Sequence, residues 1–337
     1  MSPFMQARLQ RFKQNKLGFG CLIIFVVIFV LSLAAELIAN DKPLLVSYNH
    51  SLYVPVFKSY PETAFGGVFE TEADYKDPVV QQLIDEKGWA IWPLIPYSYK
   101  TPNLELAVPV PSAPTSQNWL GTDDQGRDVL ARILYGLRVS LLFGFALTFA
   151  SALLGIAVGA IQGYYGGWVD LLGQRILEVW GGLPMLFILM ILVSMCTPNV
   201  YWLFLIMLLF GWTTLVGLVR AEFLKARNLD YVRAARSLGV TDRSIMLRHI
   251  LPNAMSSSLS QLPFILTSNI TALTALDFLG YGLPPDAASL GELLLQGKSN
   301  LNSPWLALSG FFTLVIVLSL LIYIGEATRD AFDPRRQ

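Results

Sequence analysis

Charge is scarce in this chain of 337 residues. Asp, Glu, Lys and Arg make up 14% of it, where a soluble domain carries about a quarter. With 54% hydrophobic residues, the chain has too little polar surface to clothe a water-soluble enzyme and reads as an integral membrane protein. Histidine is scarcer still: His50 and His249 are the only two. No histidine metal cluster can be built from them, and no Ser/His/Asp set follows from the spacing. The two cysteines, Cys21 and Cys196, lie near opposite ends of different apolar runs, which argues against a disulfide and for small buried apolar residues. A phosphate loop is missing as well. The nearest segment, GELLLQGKS from Gly291 to Ser299, has one residue too many between its glycines and no strand before it. The chain is therefore expected to be no enzyme, with no catalytic residues, metal or cofactor of its own.

Long apolar runs are what it has in quantity. Six stretches, 17–39, 139–161, 177–196, 201–219, 258–280 and 305–325, each come near the ~20 residues that cross a hydrocarbon core. The first follows Arg8, Arg11, Lys13 and Lys16, but it is longer than a signal peptide's apolar core and reads as an uncleaved helix. Thr197, Pro198, Asn199 and Val200 separate the third and fourth runs as a tight antiparallel turn. Fifteen of the 24 Lys and Arg residues fall in 1–16, 162–176, 220–257 and 326–337. The positive-inside rule puts those segments in the cytoplasm. Tyr164, Tyr165 and Trp168 on one side, and Tyr201, Trp202 and Trp305 on the other, suit interfacial belts. The expected fold is an all-α membrane protein of six transmembrane helices. Its layout is a cytoplasmic N-terminus (1–16), a first transmembrane helix (17–39), an outer region (40–138), five further transmembrane helices (139–325) with an inner loop at 220–257, and a cytoplasmic tail (326–337).

The outer region differs in kind. Scattered prolines, aromatics and short apolar patches such as LYVPVF over 40–119 predict a small loop-and-strand domain or an elaborated loop. Near its end LGTDDQGRD carries Asp123, Gly126, Arg127 and Asp128, with Arg132 following. Thr122 and Asp123 can cap a turn. Arg127, Arg132, Val129, Ile133 and Leu134 fit an amphipathic helix on the outer membrane surface, as an anchor or as a gate and docking element.

The fifth apolar run is the most polar. Gln261, Ser268, Asn269 and Thr271 are candidates to line a pathway, or else to glue helices together. Glu36, Glu178 and Asp277 sit near the ends of runs, which weakens an ion-coupled carrier or channel without removing it as the alternative.

The stretch YVRAARSLGVTDRSIMLRHILPN, Tyr231 to Asn253, is basic and helix-patterned. Asn228 or Asp230 can cap a first helix, and Gly239 can stop it in the left-handed conformation. Thr241 can cap a second short helix with Asp242 in its first turn, and Pro252 is expected to break the pattern before the next span. Ala234 and Ala235 would let a second backbone approach. Arg233, Arg236, Arg243 and Arg248 offer charge to a protein or to lipid heads. A helix resting on lipid and a shaped plug for a protein groove both remain open on these grounds.

The order Ala234-Ala235, three residues, Gly239, then Leu251-Pro252 resembles the EAA loop of ABC importer permeases. Arg233 stands where that pattern has glutamate, and His249 where it has isoleucine. LGTDDQGRDVLARILYGLRVSLLFG, GYYGGWVD and GEATRDAFDPRR resemble the C-type permease subunit of the dipeptide and oligopeptide branch. The proline-rich outer segment is similar to that of the Yej-type permease of the microcin C and oligopeptide transporter. The resemblance implies the type I importer permease fold in a bacterial inner membrane, with 40–138 periplasmic and 139–325 the permease core. It implies a coupling loop of Arg233, Ala234, Ala235, Ser237, Leu238, Gly239, Val240, Asp242, Leu251 and Pro252 that enters a cleft of a cytosolic ATPase. The implied partners are a second permease subunit, ATPase subunits that use ATP and Mg, a periplasmic peptide-binding protein and the bilayer, with no nucleic acid. The implied cargo is peptides, with microcin C-like peptide antibiotics as a second kind.

Overall fold

The computed structural model describes residues 3–332 apart from 105, 107, 196–198 and 285. Cys196, Thr197 and Pro198 of the expected turn, and the tail from 333, lie outside the described residues. A basic helix, α1 (Pro3–Gln14), leads into α2 (Lys16–Leu33). Asn15 closes the first turn of α2, its side-chain oxygen accepting from the Gly18 amide at 3.0 Å. One turn of helix, α3 (Ala35–Ile38), hands the chain to the outer region.

That region holds an antiparallel sheet in the order β2-β1-β3, with β1 (Leu45–Tyr48) between β2 (Ser51–Tyr53) and β3 (Gly88–Ile91). A helix, α4 (Pro78–Lys87), capped by Asp77, precedes β3. Alternation along the strands decides the two faces. Val46 and Tyr48 pack with Phe65, Tyr75, Val80 and Ile84, while Leu52, Trp89 and Ile91 are exposed. Ala35, Ala39, Ile95 and Tyr97 seat the region against Ala131 and Tyr135, and the Tyr135 hydroxyl donates to the Ala39 carbonyl at 3.0 Å.

The remaining elements are helical. α5 (Val129–Tyr165) is the longest; its 37 residues span roughly 55 Å at about 1.5 Å each. The sequence places an interfacial helix near the end of 40–138 and a separate span from 139; instead one helix starts at Val129, capped by Asp128, whose carboxylate accepts from the Ala131 amide at 2.8 Å. Val129, Ile133 and Leu137 are buried, so the segment is a packed part of the bundle rather than an interfacial anchor. Next come α6 (Gly167–Gly181) and α7 (Met185–Ser194), bent by 73° at Gly182-Leu183-Pro184. The expected third span is thus a broken one, because Pro184 can donate no backbone bond and the Gly181-Gly182 pair lies just before Leu183. α8 (Val200–Gly211) and α9 (Thr213–Ala226) form one long run with a break at Trp212.

A short helix, α10 (Asp230–Ser237), precedes α11 (Asp242–Ser244). From Asp242 the chain stays helical through a π-helical stretch, Ile245–Ile250, into α12 (Leu251–Phe278). Pro252 therefore does not break the pattern. It lies in the first turn of α12, and the wide π turn just before it takes up the crowding that a proline ring imposes on the carbonyl four residues back. α13 (Leu290–Ser299) and α14 (Pro304–Phe332) complete the fold. Among the described residues five helical runs are long and apolar enough to cross a membrane, and the bent α6–α7 pair makes up to six.

The most extensive helix–helix contact among the described residues joins α5 to α9. Gly155, Gly159 and Gly163 recur every fourth residue on one face of α5. An added Cβ would lie 2.5 Å from the Trp212 carbonyl oxygen, 2.7 Å from that of Val216 and 2.6 Å from that of Arg220. Backbone meets backbone along this stripe, as small residues at four-residue spacing allow.

Candidate functional site

The stretch 226–252 folds as a hairpin of short helices at one end of the α5–α9 pair. Neither Asn228 nor Asp230 caps α10 with a side chain; Leu229 holds the cap position, and Asp230 lies in the first turn, where its charge suits the helix dipole. The end of α10 is sharply defined. Gly239 has φ of +76°, its amide donates to Arg236 O at 3.0 Å, and the Val240 amide donates to Ala235 O at 3.1 Å. This pair of bonds is a Schellman ending, which needs a residue comfortable in the left-handed region. A Cβ at Gly239 would meet nothing within 4 Å, so the glycine is there for its backbone and not for space. Thr241 stands at the next cap position without a side-chain cap bond.

Helical periodicity sorts the residues of the hairpin. Val232 and Ala235 face inward, against Val219, Phe223, Ile245 and Ile250. Arg233, Ala234, Ser237, Leu238 and Gly239 face outward. Of the expected alanine pair, only Ala234 can meet another backbone. Leu238 is 83% exposed, an apolar side chain at the very tip of the hairpin. Asp242 and Pro252 are exposed, and Val240 and Leu251 are half-buried against the cluster.

The anchor of the hairpin is a residue that the sequence places in an interfacial belt. Tyr164, at the end of α5, is buried. Its hydroxyl donates to the Asp242 carboxylate and accepts from Arg236 Nη2 at 3.2 Å, and its backbone carbonyl accepts from Arg227 Nη1 at 3.4 Å. One side chain thus ties both arms of the hairpin to α5. Beside it, Arg220 Nη2 of α9 donates to Asp170 Oδ2 of α6 at 2.7 Å. Arg236 is therefore engaged with Tyr164 while its side chain stays exposed beside the hairpin.

A second polar centre sits at the other end of α5. Arg132 has no exposed side-chain surface and is paired with Glu292 and with Asp123, the latter at 3.3 Å. Arg127 Nε donates to Asp123 Oδ2 at 2.7 Å, and Arg127 Nη2 to Glu292 Oε1 at 3.4 Å. The other Asp123 oxygen accepts from the amides of Gln125 and Arg127, both at 2.9 Å. Two arginines and two carboxylates balance within one buried cluster, the arrangement that makes buried charge tolerable. Gly126 has φ of +77° and shapes the loop that brings Arg127 back to Asp123. Burial pushes the Asp128 carboxyl above its ordinary range, against the bonds from Ala131 and Asn118 that favour its charge. These residues, expected at a surface, form a clamp between the loop before α5 and α13. GELLLQGKS is most of that helix and supplies Glu292 to the clamp.

The candidates on α12 divide. Ser268 and Thr271 are exposed and Gln261 is half-exposed, seven and three residues apart on one face. Asn269 is buried and donates to Thr148 Oγ1 of α5 at 2.9 Å, which makes it interhelical glue. Asp277 receives the Leu283 amide at 2.7 Å and the Ser289 hydroxyl, so it ties α12 to the start of α13.

Residues 140–337 match the family described as binding-protein-dependent transport system inner membrane component, and residues 2–55 match the N-terminal TM domain of oligopeptide transport permease C. The chain is 57% identical over 336 residues to the inner membrane ABC transporter permease protein YejE of Escherichia coli K12, covering 100% of this chain and 98% of that one. It is 52% identical over 359 residues to the peptidoglycan transport system permease protein YejE of Agrobacterium fabrum, covering 99% and 94%. The oligopeptide transport system permease protein OppC of Mycobacterium bovis is 33% identical over 75% of this chain and 87% of its own length. Among solved structures, a chain of the MetNI methionine ABC transporter superposes with a TM-score of 0.51 at 16% identity, over 61% of this chain and 96% of that one.

Proposed function

The chain belongs to the family of binding-protein-dependent transport system inner membrane components, and on that premise we propose that the 226–252 hairpin couples it to a cytosolic ATPase. It is an ABC importer permease, a multi-pass protein of the inner membrane and not an enzyme; ATP hydrolysis belongs to a separate subunit. Family membership replaces the ion-coupled carrier as a reading.

In the proposed mechanism both termini and the hairpin face the cytoplasm, and 40–128 faces the periplasm. A second permease subunit completes the pathway, and a periplasmic binding protein delivers the cargo. The ATPase subunits bind ATP and Mg and close on each other. The hairpin tip, seated in an ATPase cleft, moves with them, and α9 and α5 carry that displacement into the spans. The exposed face of Gln261 and Ser268 then lines the pathway, while Thr271, further along α12, borders the groove between α12, α13 and α14. Peptides are the cargo, supported by relatives named for oligopeptide and peptidoglycan transport. Microcin C-like peptide antibiotics are a second cargo on the same grounds as any short peptide.

The observation that carries the coupling reading is the hairpin itself. An 83% exposed leucine stands on a helix whose end is fixed by Gly239 and whose base is bonded to α5 through Tyr164. A lipid-resting helix would need its apolar face free, but here Val232 and Ala235 are already buried in the protein. The test is Leu238→Cys in a cysteine-light chain purified in mild detergent with whatever co-purifies. Cross-linking of that cysteine to an ATPase subunit is expected. Labelling by lipid-borne reagents instead, with no cross-link to any subunit, would overturn the reading.

A further inference from the structure

A groove of about 570 Å³ opens between α12, α13 and α14, far from the hairpin. Phe278, Leu294, Leu308, Phe311 and Leu318 are among the side chains that line it. Two threonines also border it, but their hydroxyls are spent on their own helix: Thr271 Oγ1 donates to Thr267 O at 2.8 Å and Thr274 Oγ1 to Ile270 O at 2.9 Å. The walls therefore offer a peptide or a water cluster almost no free polar partner, and an apolar cavity of this kind is filled by hydrocarbon or stays dry. Its volume lies within the range of ordinary ligand sites. Lys298 is the one charged residue in the lining among the described residues. It is exposed, its ammonium lies 5.4 Å from the Phe278 ring centroid, and no carboxylate lies within 4.0 Å of it among the described residues.

We propose that this groove holds one acyl chain of a phospholipid whose anionic headgroup is bound by Lys298. The chemistry of the site has the two parts such a lipid has: a hydrocarbon-lined groove, and an unbalanced cation with four carbons of reach at its rim. Lipid is also the solvent around these helices, so the ligand is present at saturating concentration wherever the protein folds. The floor is closed by backbone contact, because an added Cβ at Gly297 would lie 2.5 Å from the Ala307 nitrogen. The proposal rests on the membrane reading of the fold and is independent of the coupling hairpin.

The test is native mass spectrometry of the complex with its co-purifying subunits, using phosphatidylglycerol and phosphatidylcholine as probes. Wild type is expected to retain phosphatidylglycerol in preference. Lys298→Ala lowers that preference about fivefold, the ratio set by one lysine at an anionic lipid surface. Ala275→Phe fills the groove and lowers retention of both lipids. If that variant fails to assemble, Leu308→Trp at the exposed rim gives the same block. Equal retention of the two lipids by wild type, or unchanged retention in Lys298→Ala, overturns the proposal. So does a Phe311→Cys variant that cross-links to the second permease and not to a lipid-borne reagent, since the groove is then a subunit interface.

Discussion

The two ends of α5 solve opposite problems. At the Val129 end a fully buried arginine is held by Asp123 and Glu292, with Arg127 completing the cluster. At the Tyr165 end a hairpin of mostly exposed residues hangs from one tyrosine hydroxyl and a few arginine bonds. The first arrangement is costly to disturb, because removal of one partner leaves an unpaired charge in a place water does not reach. The second loses little stability when altered, because most of its side chains already face solvent. The difference marks a fixed point and a moving part on one helix, joined by a stretch that packs backbone to backbone on α9.

That contrast is sharpest in its failures. Arg132→Ala leaves Asp123 and Glu292 to share the single charge of Arg127, and is expected to cost about 3–5 kcal/mol; the Tm and the yield of purified complex should both fall. Gly159→Leu forces α5 away from α9 and is expected to cost about 1–3 kcal/mol by overpacking, with a drop in Tm and in uptake together. Gly239→Val strains the hairpin by about 1–3 kcal/mol but leaves the bundle intact, so the Tm of the complex should hold while uptake is lost. Tyr164→Phe removes two side-chain hydrogen bonds, a change of about 0.5–1.5 kcal/mol for each. Its signature is a fall in transport per ATP hydrolysed, with assembly unchanged. Leu238→Ser should shift stability by less than about 0.5 kcal/mol and weaken co-purification of the ATPase. If Arg132→Ala proves as harmless to stability as Leu238→Ser, the two ends of α5 do not differ as described.

The hairpin was largely legible in the sequence, and the clamp was not, for a physical reason. Gly239 announces itself because a left-handed helix end favours glycine whatever surrounds it, and its bonds reach only three and five residues back. Arg132 reads as a surface residue because Asp123 nearby is as consistent with an exposed pair as with a buried one, and the second carboxylate that completes the clamp, Glu292, is 160 residues away. Tyr164 was misplaced for the same reason, since Arg236 and Asp242 lie 72 and 78 residues further on. The break expected at Pro252 followed from proline's lost donor, a sound local rule that the π turn before it overrides. The glycines of α5 at four-residue spacing were a readable sign of close helix packing, but nothing in the sequence said that α9 was the partner. Asn269 shows the limit on the pathway side: an amide in an apolar run faces either a pathway or a neighbour, and only the position of Thr148 decides.

Coupling depends most directly on whether the Gly239 backbone transmits displacement. The measurement is binding-protein-stimulated ATP hydrolysis and peptide uptake by the complete complex in vesicles, compared between wild type, Gly239→Asn and Gly239→Val. Asparagine tolerates the left-handed region and valine does not. The expected result is near-normal stimulation and uptake in Gly239→Asn, and loss of both in a fully assembled Gly239→Val complex. Equal, normal stimulation in all three would mean that the hairpin does not carry the coupling.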